Sequence, residues 1–191
     1  MSQVRIITAL SRWENLDFYL GHLADKNILW HPIVEGVCEE LNRAWILPFY
    51  CDNSHDKGNV FYRRLNAFIQ EYPIFDDDYY FFMNDDDWMA DDVPALLSAY
   101  TEDVIFAGML RGNHPVPGHP ISPLMPYPGV RAGSIGVEQM ILKGRILRTI
   151  QFDIQSGMAD GIMAEFLQTQ HPVRYAPELV MYFNYLEQGR W

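Results

Sequence analysis

The sequence predicts a single α/β domain over residues 1–191, with helices flanking a mainly parallel, Rossmann-like central sheet. The 191 residues are 49% hydrophobic and 14% aromatic, which is enough to build one sizeable core. Strand-like apolar runs alternate along the chain with amphipathic helical segments, as in α/β folds. No apolar run approaches the roughly 20 residues of a membrane span, so we expect no transmembrane segment.

The first strand, helix and second strand follow in that order. Val4–Leu10 (VRIITAL) is a continuous apolar run with β-branched residues, typical of a strand buried on both faces. Ser11 and Glu14 then fit a capping box, which predicts a helix beginning there. Residues 31–36 (HPIVEG) are predicted as the second strand. The predicted helix has one apolar face, formed by Trp13, Leu16, Leu20 and Leu23.

The middle of the chain repeats this alternation. Residues 44–51 are predicted as a third strand, although Pro48 argues against full pairing. A helix is expected over residues 59–72, and the fourth strand over Tyr79–Met83. Asp92 is placed to cap a short helix. A fifth strand follows at Val104–Met109.

A proline-rich segment, Gly112–Gly129, interrupts the regular pattern with six prolines. A loop of this length inside a compact domain is usually functional or mobile, so it is either a substrate lid, an acceptor wall or a plain insertion. Beyond it the sequence predicts a strand at Gly133–Leu142, a helical turn or two at 143–150, a helix at 160–170 and late strand character from Val173.

The stretch YYFFMNDDDW places three adjacent carboxylates, Asp85, Asp86 and Asp87, at the end of the fourth strand. In open α/β sheets ligands bind beyond the carboxyl ends of the strands. Asp85 and Asp87 could therefore hold Mg²⁺ or Mn²⁺, with phosphate oxygens completing the coordination. The bland alternative is a solvated strand end. An EF-hand loop, a Walker A loop and a GxGxxG turn are all absent.

The charge balance excludes one large class of partners. A net charge of −11 argues against binding to nucleic acid, which requires a basic surface. The two cysteines, Cys38 and Cys51, form no disulfide framework or zinc cluster, so a reducing cytoplasm is the expected location.

Four segments, taken together, resemble the family-two glycosyltransferases of the GT-A fold. They are ITALSRWENL, DKGNVFYRRLNAFI, YYFFMNDDDWM with its DxD motif, and FDIQSGMADGIMAEFLQTQHPVRYAPE. The resemblance spans about residues 4–178. It implies a metal-dependent transferase, expected to be inverting, that moves a sugar from a nucleoside diphosphate, most simply UDP, to an unknown acceptor hydroxyl.

The resemblance also implies roles for individual residues. Asp160 is expected to be the general base, and Asp87, together with Asp85, is expected to bind Mn²⁺ or Mg²⁺. The residues expected to contact the nucleotide or donor sugar are Thr8, Leu10, Arg12, Glu35, Lys57, Arg63, Asp85 and Asp86.

The sequence departs from the family pattern in two places. The late segment MYFNYLEQ has Asn184 where many relatives supply a histidine ligand, and Ala159 precedes Asp160 where another acid is usual. A nucleotide-sugar-binding protein with little or no turnover is therefore the alternative reading. A nucleotidyltransferase is a weaker one, because TALSRW contains no glycine-rich loop.

Overall fold

The computed structural model of the protein describes residues 2–36, 38–51, 59–111 and 122–183. These residues contain one nine-stranded sheet. Its strands are β1 (Val4–Ala9), β2 (Ile28–Val34), β3 (Phe49–Tyr50), β4 (Tyr79–Phe82), β5 (Trp88–Met89), β6 (Val104–Arg111), β7 (Ser122–Leu124), β8 (Met140–Lys143) and β9 (Val173–Phe183).

The strands lie in the order β3-β2-β1-β4-β8-β6-β9-β5, with β7 paired to β6. β1 pairs in parallel with β2 and β4, β2 with β3, and β6 with β9. β8 runs antiparallel to both of its neighbours, β4 and β6. The carboxyl ends of β1, β2, β4 and β6 therefore meet at one edge of the sheet, and the start of β8 reaches that same edge.

Helices cover both faces of the sheet. They are α1 (Leu16–Leu23), α2 (Val60–Glu71), α3 (Val93–Ser98), α4 (Gly144–Leu147) and α5 (Ala159–Gln170). Successive strand residues point to opposite faces, so Ile6 packs in the cluster under α1 and α3, and Ile7 in the cluster under α2 and α5. This two-sided burial explains the continuous apolar strands, and the predicted α/β fold class is confirmed.

Some local predictions were wrong at the first turn. Ser11 does not cap a helix, because its hydroxyl donates to Asp85 instead. A 3₁₀ turn, Trp13–Asn15, precedes α1, and neither helical segment has a side-chain cap. Trp13 is 41% exposed and lies outside the core.

Other differences concern the edge and the reversed strand. The third strand is only two residues long, because Pro48 lies directly before it. The strand predicted from Gly133 begins at Met140, after a 3₁₀ turn at Val137–Gln139. Asp92 forms no side-chain cap on α3.

The predicted helices near 59–72 and 160–170 and the late strand are confirmed. Of the proline-rich segment, Gly112–Ile121 lies outside the described residues, and Ser122–Leu124 pairs with β6. Across the described ranges, each helix is too short or too polar to cross a membrane.

Candidate functional site

Five chain segments meet at the carboxyl edge of the sheet. The turn after β1 and the turn after β4 lie there because these strands are parallel neighbours. The first turns of α2 and α5 also lie there. Each helix precedes a strand that runs toward this edge, so the helix itself begins at this edge and runs away from it. The 3₁₀ turn before β8 completes the set, since β8 is antiparallel.

Asp85 ties the turn after β1 to the turn after β4. Its Oδ2 accepts hydrogen bonds from the Ser11 N–H (2.6 Å), the Ser11 hydroxyl (2.7 Å) and the Arg12 N–H (2.7 Å). Its Oδ1 accepts from the Arg12 guanidinium at 2.8 Å. Both oxygens of this buried carboxylate are thus engaged by the protein itself.

The other two aspartates have different surroundings. Asp86 pairs with the Arg12 guanidinium at 2.9 Å and lines a cavity. Asp87 is fully buried, and its Oδ2 accepts from the Asn84 N–H at 3.0 Å. The backbone oxygen of Asp87 accepts from the Tyr19 hydroxyl at 2.7 Å. Asp85 and Asp86 therefore both line the first cavity and both pair with Arg12, whereas Asp87 lies outside the cavity lining.

The first cavity, of about 500 Å³, contains the cations of the site. Arg64, in α2, is 8% exposed, and its guanidinium pairs with Glu35 at 2.9 Å and contacts the Leu10 carbonyl at 3.4 Å. Its Nε has no hydrogen-bond partner within the described residues. The lining consists of Ala9, Ser11, Arg12, Val60, Phe61, Arg64, Asn84, Asp85 and Asp86.

A second cavity, of about 550 Å³, adjoins the first, because Phe61 and Asn84 line both. Among its described lining residues, Glu138 and Asp160 are the only charged ones. The other lining residues are Asn59, Tyr62, Met109, Leu124, Gly133, Ser134, Ile135, Gly136, Val137, Gln139, Gly157, Met158 and Phe183.

Glu138 faces Asn84 across the sheet edge. Phe81 pairs with Ile141 in the β4–β8 ladder, and continuing that register by three residues brings Asn84 opposite Glu138. The Asn84 side-chain amide donates to the Glu138 carboxyl group. Burial, and then the nearby charge of Asp160, raise the pKa of Glu138 to about 7. Glu138 therefore changes charge near neutral pH.

Asp160 lies in the first turn of α5, one residue after the helix begins. Its Oδ1 accepts from the Gly161 N–H at 2.8 Å, and the Tyr62 hydroxyl also donates to its carboxylate. Burial raises the pKa of Asp160 despite these donors. Because Met158 occupies the N-cap position, Asp160 is not the helix cap.

The predicted site residues fall into three groups. Arg12, Asp85 and Asp86 line the first cavity, and Asp160 lines the second. Thr8 is buried in the core, where its hydroxyl accepts from the Trp30 indole at 3.0 Å. Leu10, Arg63 and Glu35 lie outside both cavity linings; Leu10 and Arg63 are buried, and Glu35 pairs with Arg64. Lys57 lies outside the described residues.

Sequence reasoning missed several lining residues with polar side chains, among them Arg64, Asn84, Tyr62 and Glu138. Arg64 lies next to the predicted Arg63, and one helical residue of rotation decides which arginine faces the cavity. Asn84 directly precedes the aspartate triplet, and its amide was available as a signal. Tyr62 and Glu138 had no signal in the sequence beyond their residue type. For Glu138, the direction of β8, which decides the edge at which it lies, was not predicted.

The predicted metal ligands were Asp85 and Asp87, and their surroundings do not suit a cation. Asp85 already accepts four hydrogen bonds, and Asp87 is fully buried in its own turn. Over the described ranges, no three His, Cys, Asp or Glu side chains group to hold a metal. Asp86, which also lines the first cavity, is a further candidate, since Mg²⁺ often uses one or two carboxylates together with phosphates of the substrate.

Two crystal structures of other proteins resemble this chain. The apo-form glycosyltransferase GlyE of Streptococcus pneumoniae TIGR4 matches with a TM-score of 0.49 and 8% identity, over 91% of this chain and 45% of that one. The chain thus spans less than half of that protein. A 4-diphosphocytidyl-2C-methyl-D-erythritol synthase matches with a TM-score of 0.50 and 7% identity, over 93% of this chain and 89% of that one.

At such low identity, the likeness to the synthase shows a shared fold, and the GT-A-like fold predicted from the sequence is confirmed. No protein-family model matches the chain, and no curated protein sequence matches it.

Proposed function

We propose that the protein is a glycosyltransferase that moves a sugar from a nucleoside diphosphate to an acceptor hydroxyl. One observation carries the proposal. A cavity containing two arginines adjoins a cavity containing one buried and one half-buried carboxyl group, Glu138 and Asp160, and the two cavities share Phe61 and Asn84. The first suits an anionic leaving group and the second suits proton removal, so one substrate pair can span both.

The nucleotide end of the proposal rests on Arg64 and Glu35. A guanidinium donates to carbonyl and phosphate oxygens, while a carboxylate accepts from N–H groups. The pair therefore offers both partners that the edge of uracil or guanine requires. Arg64 is 8% exposed with its Nε unpartnered in the described residues, and such a group gains from a ligand oxygen.

The acceptor end rests on Asp160. The acceptor oxygen would bond to the anomeric carbon while its proton passes to the Asp160 carboxylate. The bond from that carbon to the diphosphate oxygen breaks, and the diphosphate leaves with the electron pair. A carboxylate whose pKa is raised by burial is a better proton acceptor at neutral pH than an exposed one. Attack from the face opposite the diphosphate would invert the anomeric configuration.

Asp86 would hold the predicted Mn²⁺ or Mg²⁺, and Arg12, which now pairs with it, would turn toward the phosphates. When bound, the ion would offset the negative charge of the departing diphosphate. Arg12 and Arg64 line the same cavity, and each would turn from its present carboxylate partner toward the phosphate oxygens.

Binding is tested by calorimetry of the purified protein with UDP, GDP, CDP and ADP, each with Mn²⁺. We expect at least one to bind in the micromolar range and Arg64→Met to weaken it at least tenfold. Arg148→Gln is the matched control, because Arg148 is an exposed arginine that pairs with Asp76 at the opposite edge. If none of the four nucleotides binds, the proposed function is wrong.

Turnover is tested by incubating the protein with the sugar conjugate of the best-binding nucleotide and following release of the nucleoside diphosphate. Release, with or without added acceptor, supports a glycosyltransferase. Tight binding without release indicates the alternative, a nucleotide-sugar-binding protein. Pyrophosphate release from CTP or UTP in the presence of a sugar phosphate would instead indicate a nucleotidyltransferase.

A further inference from the structure

Phe61 and Asn84 form the junction of the two cavities, because both residues line each of them. If the proposed function holds, on which this inference rests, the transferred sugar must lie between the leaving diphosphate and the acceptor hydroxyl. The first cavity holds the arginines and the second holds Asp160, and the residues common to both are Phe61 and Asn84. The sugar ring therefore belongs beside Asn84.

Asn84 is held firmly at this junction. Its main-chain N–H donates to Asp87, its main-chain oxygen accepts from the Tyr19 hydroxyl at 3.0 Å, and its side-chain amide donates to Glu138. A carboxyl group that accepts from the amide nitrogen fixes the orientation of the whole amide. Glu138 is 5% exposed and lines the second cavity, so it lies within reach of a ligand at the junction.

The charged side chains that line the second cavity, Glu138 and Asp160, are both acidic. Asp160, from the start of α5, and Asp86, after β4, both raise the pKa of Glu138 by their charge, after the larger effect of burial. Among the described residues lining the second cavity, none is a Lys, Arg or His. A sugar hydroxyl can donate to a carboxylate there, whereas a sugar carboxylate would meet like charge without a cation.

We propose that Glu138 contacts the transferred sugar and restricts the donor to sugars without a carboxylate. Glu138 thereby determines substrate specificity: its free acceptor capacity suits a ring hydroxyl, and its charge disfavours uronic acids. The inference names a substrate class, hexoses that are neutral or carry an amino group.

UDP-glucose and UDP-glucuronate form a matched pair of probes, since they differ only in a CH₂OH or carboxylate at one carbon. Both are titrated into the protein by calorimetry at pH 8.5, where Glu138 is ionised. We expect UDP-glucose to bind at least tenfold more tightly. In Glu138→Gln, which keeps an acceptor oxygen for Asn84, the ratio should fall to within about threefold.

Glu102→Gln serves as the control, because Glu102 lies just before β6 at the opposite edge of the sheet, and it should keep the wild-type ratio. The wild-type protein gives a second measurement that needs no variant. At pH 6 Glu138 is protonated while both donors keep their charge, so the preference for UDP-glucose should shrink. Asp160, Asp86 and Tyr62 are the titratable groups that face Glu138, and burial raises the pKa of Tyr62, so its hydroxyl keeps its proton at both pH values.

Equal affinity for the two donors in the wild-type protein would overturn the inference. So would a ratio that Glu138→Gln leaves unchanged, or a ratio that is the same at pH 6 and pH 8.5. Failure of the proposed function looks different, because then none of UDP, GDP, CDP and ADP binds. UDP binding without sugar discrimination contradicts only the role of Glu138.

Discussion

The three adjacent aspartates have different surroundings in this protein. Asp85 joins two turns, Asp86 faces a cavity and Asp87 closes its own turn. Sequence alone predicted the triplet as the centre of a candidate site, since carboxylates at the end of a buried strand need compensation. It could not assign the members, because the assignment depends on where Ser11 and Arg12 come to lie.

A pair of variants separates the structural from the ligand-binding aspartate. Asp85→Ala leaves the Ser11 and Arg12 donors without their acceptor, so we expect it to lower the free energy of unfolding by about 2 kcal/mol or more. Asp86→Ala removes a like charge beside Asp85 and should cost less, but should abolish any gain in UDP affinity from Mn²⁺. Denaturant melts and calorimetry with Mn²⁺ or chelator measure both effects. Equal UDP affinity with and without metal in the wild-type protein would end the metal prediction.

Asp160 gives the sharpest test of the chemistry. Asp160→Asn keeps an oxygen that can accept from the Gly161 N–H but cannot accept a proton from the acceptor. We expect unchanged UDP affinity, a melting temperature within about 2 °C of wild type, and transfer reduced roughly a hundredfold or more. Rates and melting curves of the two proteins, measured side by side, decide the matter. Full transfer activity in the variant would remove Asp160 from the mechanism.

At the scale of elements, the start of α5 packs very closely on the loop after the proline-rich segment. A Cβ added at Gly161 would lie 2.5 Å from the backbone of Ala132 and Gly133, and both atoms are main chain and cannot turn aside. The neighbouring residue is Asp160, so this contact also places the carboxylate that faces the second cavity. Gly161 allows the approach because it has no side chain.

Gly161→Ala should therefore push α5 away from residues 132–133 and widen the second cavity. We expect transfer to fall at least tenfold while UDP affinity in the first cavity changes less than twofold, because no lining residue of that cavity belongs to α5. Gly21→Ala is the control, since Gly21 lies in α1, outside both cavity linings, and a Cβ there meets no atom within 4 Å. Loss of UDP binding and transfer together would mean that the two cavities do not respond independently.

The elements themselves were largely predictable, and the reversed strand was not. Apolar runs and amphipathic periods identified β1, β4, β6, α2 and α5, because each buries a face against the sheet. The direction of β8 depends on how the chain enters the gap between β4 and β6, and no local sequence pattern predicts this. Glu138 was missed for that reason alone, since a parallel β8 would have left it at the far edge.

For the whole molecule, two buried groups make stability depend on pH in opposite directions. The raised pKa of Glu138, about 7, means that its contribution is fully present below pH 4.5 and is lost as pH rises through 7. Burial, and then Arg5, lower the pKa of His31 to about 3, so its contribution is present above pH 6.5 and declines as pH falls. His31 stays neutral, with its Nε2 facing Arg5 at 3.2 Å and its Nδ1 facing the Leu47 oxygen.

Melting temperatures between pH 4.5 and 8.5 test this balance. We expect Glu138→Gln to remove the fall in stability that this group causes as pH rises from 4.5 to 7, and His31→Gln to remove the opposite fall as pH drops below 6.5. The two variants are each other's control, because they should change the slope of the profile in opposite directions where the two ranges overlap. A profile of unchanged shape in Glu138→Gln would show that this carboxyl group titrates normally.

Because β8 is antiparallel to β4, its carboxyl end lies at the edge of the sheet opposite the candidate site, and contacts there fix the register of the strand. Lys143 donates to the Ser2 hydroxyl and the Asp77 carbonyl, and its ammonium lies 3.6 Å from the centre of the Tyr79 ring. From Lys143 back to Met140, β8 extends about 10 Å at the rise of a strand, and the 3₁₀ turn that contains Glu138 lies directly before it in the chain. A slip of one residue would carry each β8 side chain to the other face of the sheet. The buried Lys143 thus fixes the register of β8 and, through it, the position of Glu138 at the opposite edge of the sheet, so replacing this lysine should change the proposed sugar selection.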